Sequence, residues 1–332
     1  GISGMTMPPG PIDIHAHWLP RELFGLAPGT PLPALRDHDG QLHLGDLPLS
    51  IETDAMSDIA RVLDDTDTAG LGARVLSAPP FAFPVADHDG VDDFVRTFND
   101  TLHQVCRDSA GRLAGLALVS LHDPAAARKQ MEAVAGSEVI RGIAVPPLLA
   151  GTSFDVSPMR DILGFAAELD FAVLVHPMQL PRPEWGSHYL ANLIGNPVET
   201  ATAAAALILA GVLDDIPGLR ICLVHGGGCA PALVGRWEHG WRQRADVRQG
   251  GSRPPRETFS ALWFDTLTHD VAALELLRAQ TDPRRLMCGS DYPFDMGTPD
   301  PLALPHAAGI DDAALEDNAR TFLGLDTGET HD

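Results

Sequence analysis

Lysine is almost missing from this 332-residue chain: of its 23 basic side chains only Lys129 is one. Schiff-base catalysis, or a two-metal centre bridged by a carbamylated lysine, would have to use that residue. It lies in the amphipathic stretch DPAAARKQMEAV, where a solvated helix face is its expected place, so both chemistries are set aside. Positive charge is scarce as a whole. A formal net charge of −22 excludes nucleic acid and anionic membrane, both of which are bound through basic patches. The four cysteines, Cys106, Cys222, Cys229 and Cys288, form no CxxC pair. Two sit in apolar strand-like runs and read as reduced core residues of a cytoplasmic protein. No apolar run reaches the roughly 18–20 residues of a membrane span, and no basic-plus-apolar leader is visible. Neither a GxGxxG after the first apolar strand nor a GxSxG anywhere is present. The first absence disfavours a dinucleotide-binding open sheet. The second removes the esterase oxyanion-hole reading of the HGGG at 225–228.

What the chain does contain is alternation. Short apolar, β-rich runs fall near 11–17, 73–79, 113–120, 142–148, 172–177, 220–226, 262–267 and 286–293. Between them lie stretches such as VDDFVRTFNDTLHQVC and SPMRDILGFAAELD, apolar at three- and four-residue spacing. Eight strands alternating with helices predict an α/β fold, a parallel sheet closed into a (β/α)8 TIM barrel. The strands are apolar nearly throughout, which fits burial on both faces. A Pro- and Gly-rich segment at 24–50 interrupts the pattern after the first strand. Within it LRDHDGQLHL reads as a β-hairpin turning at Asp39-Gly40, a small lid or side wall on the barrel's C-terminal face. One domain over 5–325 carrying that insertion is the economical division.

The ends of the barrel strands are where polar residues point to chemistry. Strand one ends in His15-Ala16-His17, strand five in His176-Pro177, strand six in His225-Gly226-Gly227-Gly228, and strand eight in Ser290-Asp291-Tyr292-Pro293. In a strand, residues i and i+2 share a face, so His15 and His17 project together. Four such ends converging on one mouth point to a metal site. Three imidazoles and a carboxylate suit one divalent ion, Zn²⁺ first, with Mn²⁺ or Fe²⁺ as alternatives.

The combination of HxH, HP, HGGG and GSDYPF resembles the amidohydrolase superfamily, and within it the aminocarboxymuconate semialdehyde decarboxylase branch. The likeness spans nearly the whole chain. It is densest from NPVETATAAAALILAGVLDDIPGLRICLVHGGG through GRWEHGW and FDTLTHD to NARTFLGL. The resemblance implies that His15, His17, His176 and Asp291 hold one metal ion. It makes His225 the acid–base partner beside that ion and Asp291 a second candidate for moving a proton to substrate carbon. Arg236, in GRWEHGW, matches an arginine that reaches across a homodimer interface to pin the substrate carboxylate, and a guanidinium fork suits that task. Phe294 matches an aromatic wall of the substrate pocket.

The chain departs from the branch on the substrate side. Where an arginine is expected before strand two, it carries Asp64 and Asp65, with Arg61 one turn earlier as a substitute. After strand five, Met178, His188 and Asn192 stand where bulkier aromatics are usual, and Trp185 is the candidate to refill that space. His122, Asp265 and His269 are candidate partners behind the ligands; the remaining histidines read as ordinary surface or turn residues. Three functions follow. The first is a metal-dependent, non-oxidative decarboxylase of an aromatic or muconate-like carboxylic acid. The second is a metal-dependent hydrolase of an amide, lactone or ester, and the third a non-catalytic scaffold, which the intact ligand set disfavours.

Overall fold

In this computed structural model residues 5–25, 33–251 and 253–325 are described. Strand β1 (Ile12–His17) is buried along its whole length. The chain then leaves for an antiparallel sheet of β2 (Leu35–His38), β3 (Gln41–Leu44) and β4 (Leu47–Glu52). It returns as β5 (Ala73–Ser77), β6 (Leu113–Ala117), β7 (Ile140–Val145) and β8 (Ala172–Val175). β9 (Arg220–Leu223), β10 (Trp263–Asp265) and β11 (Leu286–Met287) complete the set. The order β1-β5-β6-β7-β8-β9-β10-β11 is that of a wound parallel sheet. Three backbone bonds join its two ends: Ile14 N–H to Cys288 O at 3.1 Å, Asp291 N–H to His15 O at 2.8 Å, and His17 N–H to Tyr292 O at 2.7 Å. The ring is closed, as the alternating pattern predicts.

Helices pack outside the ring by their apolar stripes. In Val91–Arg107 the residues Phe94, Val95, Phe98, Leu102 and Cys106 are all buried, at three- and four-residue spacing. Caps fix several starts, as where Asp123 accepts from the N–H groups of Ala125 and Ala126 ahead of the helix Pro124–Val134. Lys129 lies exposed on that helix. The longest of the described helices has 17 residues, and none is long and apolar enough to cross a membrane.

Most strands end a few residues before the expected position, and three differences bear on the site. β7 ends at Val145 because Pro146-Pro147 cannot continue the ladder. β11 pairs with β10 only over two residues; beyond them the chain turns onto β1, where Ser290 N–H donates to Asp13 Oδ1 at 3.0 Å and the hydroxyl to Oδ2 at 2.5 Å. The insertion has a third strand, β4, whose Pro48 disguised it as loop. The expected hairpin at Asp39-Gly40 is present, while residues 26–32 of the expected insertion lie outside the described residues.

Candidate active site at the barrel mouth

His15, His17, His176 and Asp291 each offer a ligand atom, and these atoms lie within 4.8 Å of one another, all four residues buried. Asp291 Oδ1 is 3.0 Å from His15 Nε2, 2.9 Å from His17 Nε2 and 3.6 Å from His176 Nε2. The opposite ring nitrogens explain what these atoms are for. His17 Nδ1 faces Ala78 O at 3.2 Å and His176 Nδ1 faces Pro177 O at 2.7 Å. Both carbonyls can only accept, so each Nδ1 carries the ring proton and each Nε2 presents a lone pair. His15 Nδ1 is held the same way by Asp265 Oδ2 at 2.8 Å.

Lone pairs and a carboxylate turned toward one point repel unless a cation lies among them. The Nε2 atoms of His15 and His176 are buried with no hydrogen-bond partner. Burial lowers the imidazoles of His17 and of His176, the latter to about 3. For His15, Asp291 and Asp265 outweigh burial and push it up to about 10. Burial pushes the Asp291 carboxyl up, but the three histidines outweigh it and hold it well below the usual range. The residues fit a divalent ion bound by three imidazoles and one carboxylate.

Asp265 is the support behind this set. Its second oxygen accepts from Gly226 N–H at 3.0 Å and Leu267 N–H at 3.1 Å, so both oxygens are fixed. Gly289 must be glycine here, since a Cβ would stand 2.7 Å from Asp265 Oδ2. Of the other two candidate partners, His122 lies 3.5 Å from Asp87 and His269 is exposed, and neither touches a ligand.

His225 begins the HGGG turn at φ 53°, with Nε2 3.4 Å from Asp291 Oδ2. Asp291 thus turns one oxygen to the three histidines and the other to His225. Gly228 allows the turn to pass under the helix Asn196–Leu209, where a Cβ would meet Pro197 O at 2.5 Å. Asp291 itself sits at φ 58°, a strained setting for a residue with a side chain.

Two cavities open from this cluster. One, of about 390 Å³, runs past His176, Met178, Phe81, Phe294 and Tyr189 to the insertion residues Leu44 and Leu47–Ser50. The other, of about 360 Å³, runs past His225, Gly226, Leu267, His269 and Leu276. Asn192, Asn196, Asp291 and Met296 line both. No arginine or lysine lines either among the described residues.

The expected substrate residues divide. Phe294 packs edge-on to His17 at 5.2 Å, and Met178 is buried in the same wall. Asn192 joins them, its Nδ2 donating to Gln179 Oε1 at 3.2 Å. His188 does not: it is exposed at φ 56°, and the next residue, Tyr189, faces the cavity instead. Arg61 does not either, because Asp65 at 2.8 Å and Glu52 at 2.9 Å hold its guanidinium away from the cavities. Trp185 does not refill the wall; it packs on Gly195 and under Arg182. Arg236 is exposed on the helix Ala230–Gln243, with no ion pair to any described residue and outside both cavities of its own chain.

Reading the sequence missed Tyr189, Gln179, Phe81 and Asn196. The π-helical turn Ala191–Gly195, which brings Asn192 and Asn196 to the same seam, carries no periodic signal of its own.

Comparison with known proteins agrees with the geometry. The chain is 29% identical over 272 residues to 2-amino-3-carboxymuconate-6-semialdehyde decarboxylase of Dictyostelium discoideum, covering 79% of this chain and 74% of that one. It is 26% identical over 273 residues to gamma-resorcylate decarboxylase of Rhodococcus jostii, covering 76% and 80%. The fold matches 5-carboxyvanillate decarboxylase of Novosphingobium aromaticivorans, solved with manganese and a nitrobenzoic acid, at a TM-score of 0.79. That match has 19% identity and covers 97% of this chain and 98% of the other. The amidohydrolase family model matches residues 12–325. Barrel, ligand set and match together place this chain in the amidohydrolase family, in the branch of the aminocarboxymuconate semialdehyde decarboxylases.

Proposed function

We infer that the protein is a metal-dependent, non-oxidative decarboxylase of an aromatic or muconate-type carboxylic acid. The observation that carries this is the buried cluster of His15, His17, His176 and Asp291 with His225 beside it, in a chain whose relatives remove carbon dioxide. A divalent ion held by those four residues would supply Lewis acidity at the barrel mouth. Zn²⁺ suits the three imidazoles, and Mn²⁺, present in the structure of a relative, is the alternative.

The chain's own groups do the rest. Apolar residues from the insertion, with Phe81 and Phe294, give a flat acid a dry wall to lie on. His225 holds a proton at Nε2, and Asp291 Oδ2, 3.4 Å away, keeps that nitrogen turned to the site. The proton passes to the carbon that bears the carboxylate. The bond to that carboxylate then breaks, its electron pair returns to the carbon frame, and carbon dioxide leaves. Water outside restores the proton to His225.

With no arginine or lysine among the described residues lining the cavities, the carboxylate clamp is Arg236 of a second copy, which makes the working form a homodimer. Four free cysteines suit the cytoplasm. The test is carbon dioxide release from a panel of aromatic and muconate-like acids by metal-loaded protein, with and without chelator. Chelator-sensitive release from one of them is the expected result. Its absence across the panel would favour the hydrolase reading, to be pursued with lactones and amides.

A further inference from the structure

We propose that Asn196 recognises a hydroxyl or amino substituent on the substrate and so decides which acids the enzyme accepts, an assignment that rests on the decarboxylase reading above. Asn196 is the first residue of the helix Asn196–Leu209; Gly195 holds the N-cap position, and no side chain caps the helix start. The backbone carbonyl of Asn196 accepts from Thr200 Oγ1 at 3.0 Å, but its carboxamide bonds to no described residue. The residue is 7% exposed, and its Oδ1 is buried without a partner.

An unpaired buried carbonyl is costly, and such groups persist where something else completes them. Position identifies what that is. Asn196 is one of four residues shared by both cavities, and the other three are already accounted for. Asp291 belongs to the metal cluster and Met296 is apolar. Asn192 donates its Nδ2 to Gln179 Oε1 and to Tyr189 Oη at 3.4 Å. Asn196 therefore holds a buried, spare neutral hydrogen-bonding group at the seam, where no arginine or lysine among the described residues lines either cavity.

The chemistry of the ligand follows. A hydroxyl both donates and accepts, so it pairs with a carboxamide in either orientation, and an amino group pairs with Oδ1. Such substituents also push electrons toward the carbon that takes the proton during decarboxylation. The residue thus reads the group that the reaction needs.

The test measures binding of two acids of similar shape, 2,6-dihydroxybenzoate and 2,6-difluorobenzoate, to metal-loaded protein by titration calorimetry. In Asn196→Leu the preference for the dihydroxy acid falls about tenfold, while the difluoro acid binds as before. Asn196→Ala serves if the leucine variant does not fold. An unchanged preference, or equal weakening of both acids, overturns the assignment. Suppose wild type binds neither acid, yet chelator-sensitive carbon dioxide release from another acid is seen. The assignment then falls and the decarboxylase reading stands; absence of both binding and release overturns both.

Discussion

His176 and His225 differ in surroundings more than in chemistry. His176 is buried, with Nδ1 committed to a carbonyl 2.7 Å away, so Nε2 is left as a lone pair among like atoms. His225 is part-exposed, bordering the second cavity, and reaches the cluster only through Asp291. Substitution should separate them. His176→Ala loses bound metal and activity together, as read by elemental analysis and carbon dioxide release. His225→Ala keeps its metal and loses about 10²–10⁴-fold in turnover, the range ordinary for a general acid–base group. An empty site in His225→Ala would recast that histidine as a ligand. The same contrast explains Arg61 and Arg236. Both are arginines on helices, but one is neutralised by Asp65 and Glu52 while the other has no ion pair to any described residue.

At the scale of elements, the insertion is a wall and not a loose flap. Leu35, Leu42 and Ile51 of its three strands are buried in the main core, Leu42 completely. Leu42→Ala should therefore destabilise the whole protein by about 2–5 kcal/mol, seen as a lower melting temperature, because it removes core packing and leaves a cavity. A variant melting like wild type would mean that the sheet is not anchored there. The segment after β8 is held differently. Glu199 is buried on its helix and accepts from the N–H groups of Met178 at 3.0 Å and Leu180 at 2.9 Å. Burial raises its carboxyl above the ordinary value, and the N–H bonds offset only part of that. A carboxyl raised on folding contributes stability below its unfolded value, near 4.5, and loses it as pH rises through the folded value. The melting-temperature advantage of wild type over Glu199→Gln should accordingly shrink as pH rises from 5 to 8. An advantage that grows instead would mean the N–H groups dominate.

For the molecule as a whole, the question is whether one chain makes a complete site. The cavities hold histidines, asparagines, a tyrosine and aspartates, but no cation from the described chain. Arg236→Ala should leave a dimer intact by sedimentation and lower kcat/KM by roughly 10²-fold, the scale of losing a desolvated charge pair. Full activity in a dimeric variant would remove Arg236 from the site.

Periodicity alone determined the barrel: eight apolar runs separated by helical spacing have few other ways to bury both faces of a parallel sheet. Order along the chain also determined the metal cluster, because the C-terminal ends of barrel strands meet at one mouth, and His15, His17, His176, His225 and Asp291 all stand at such ends. The substrate side was decided only by tertiary structure. Its residues come from loops, where no period fixes which side chain turns inward. One residue of backbone rotation made Tyr189 the wall in place of His188. A salt bridge drew Arg61 off, and a π-helical turn brought in Asn196. Strand ends are placed by the sheet; loop side chains are placed by whatever they pack against.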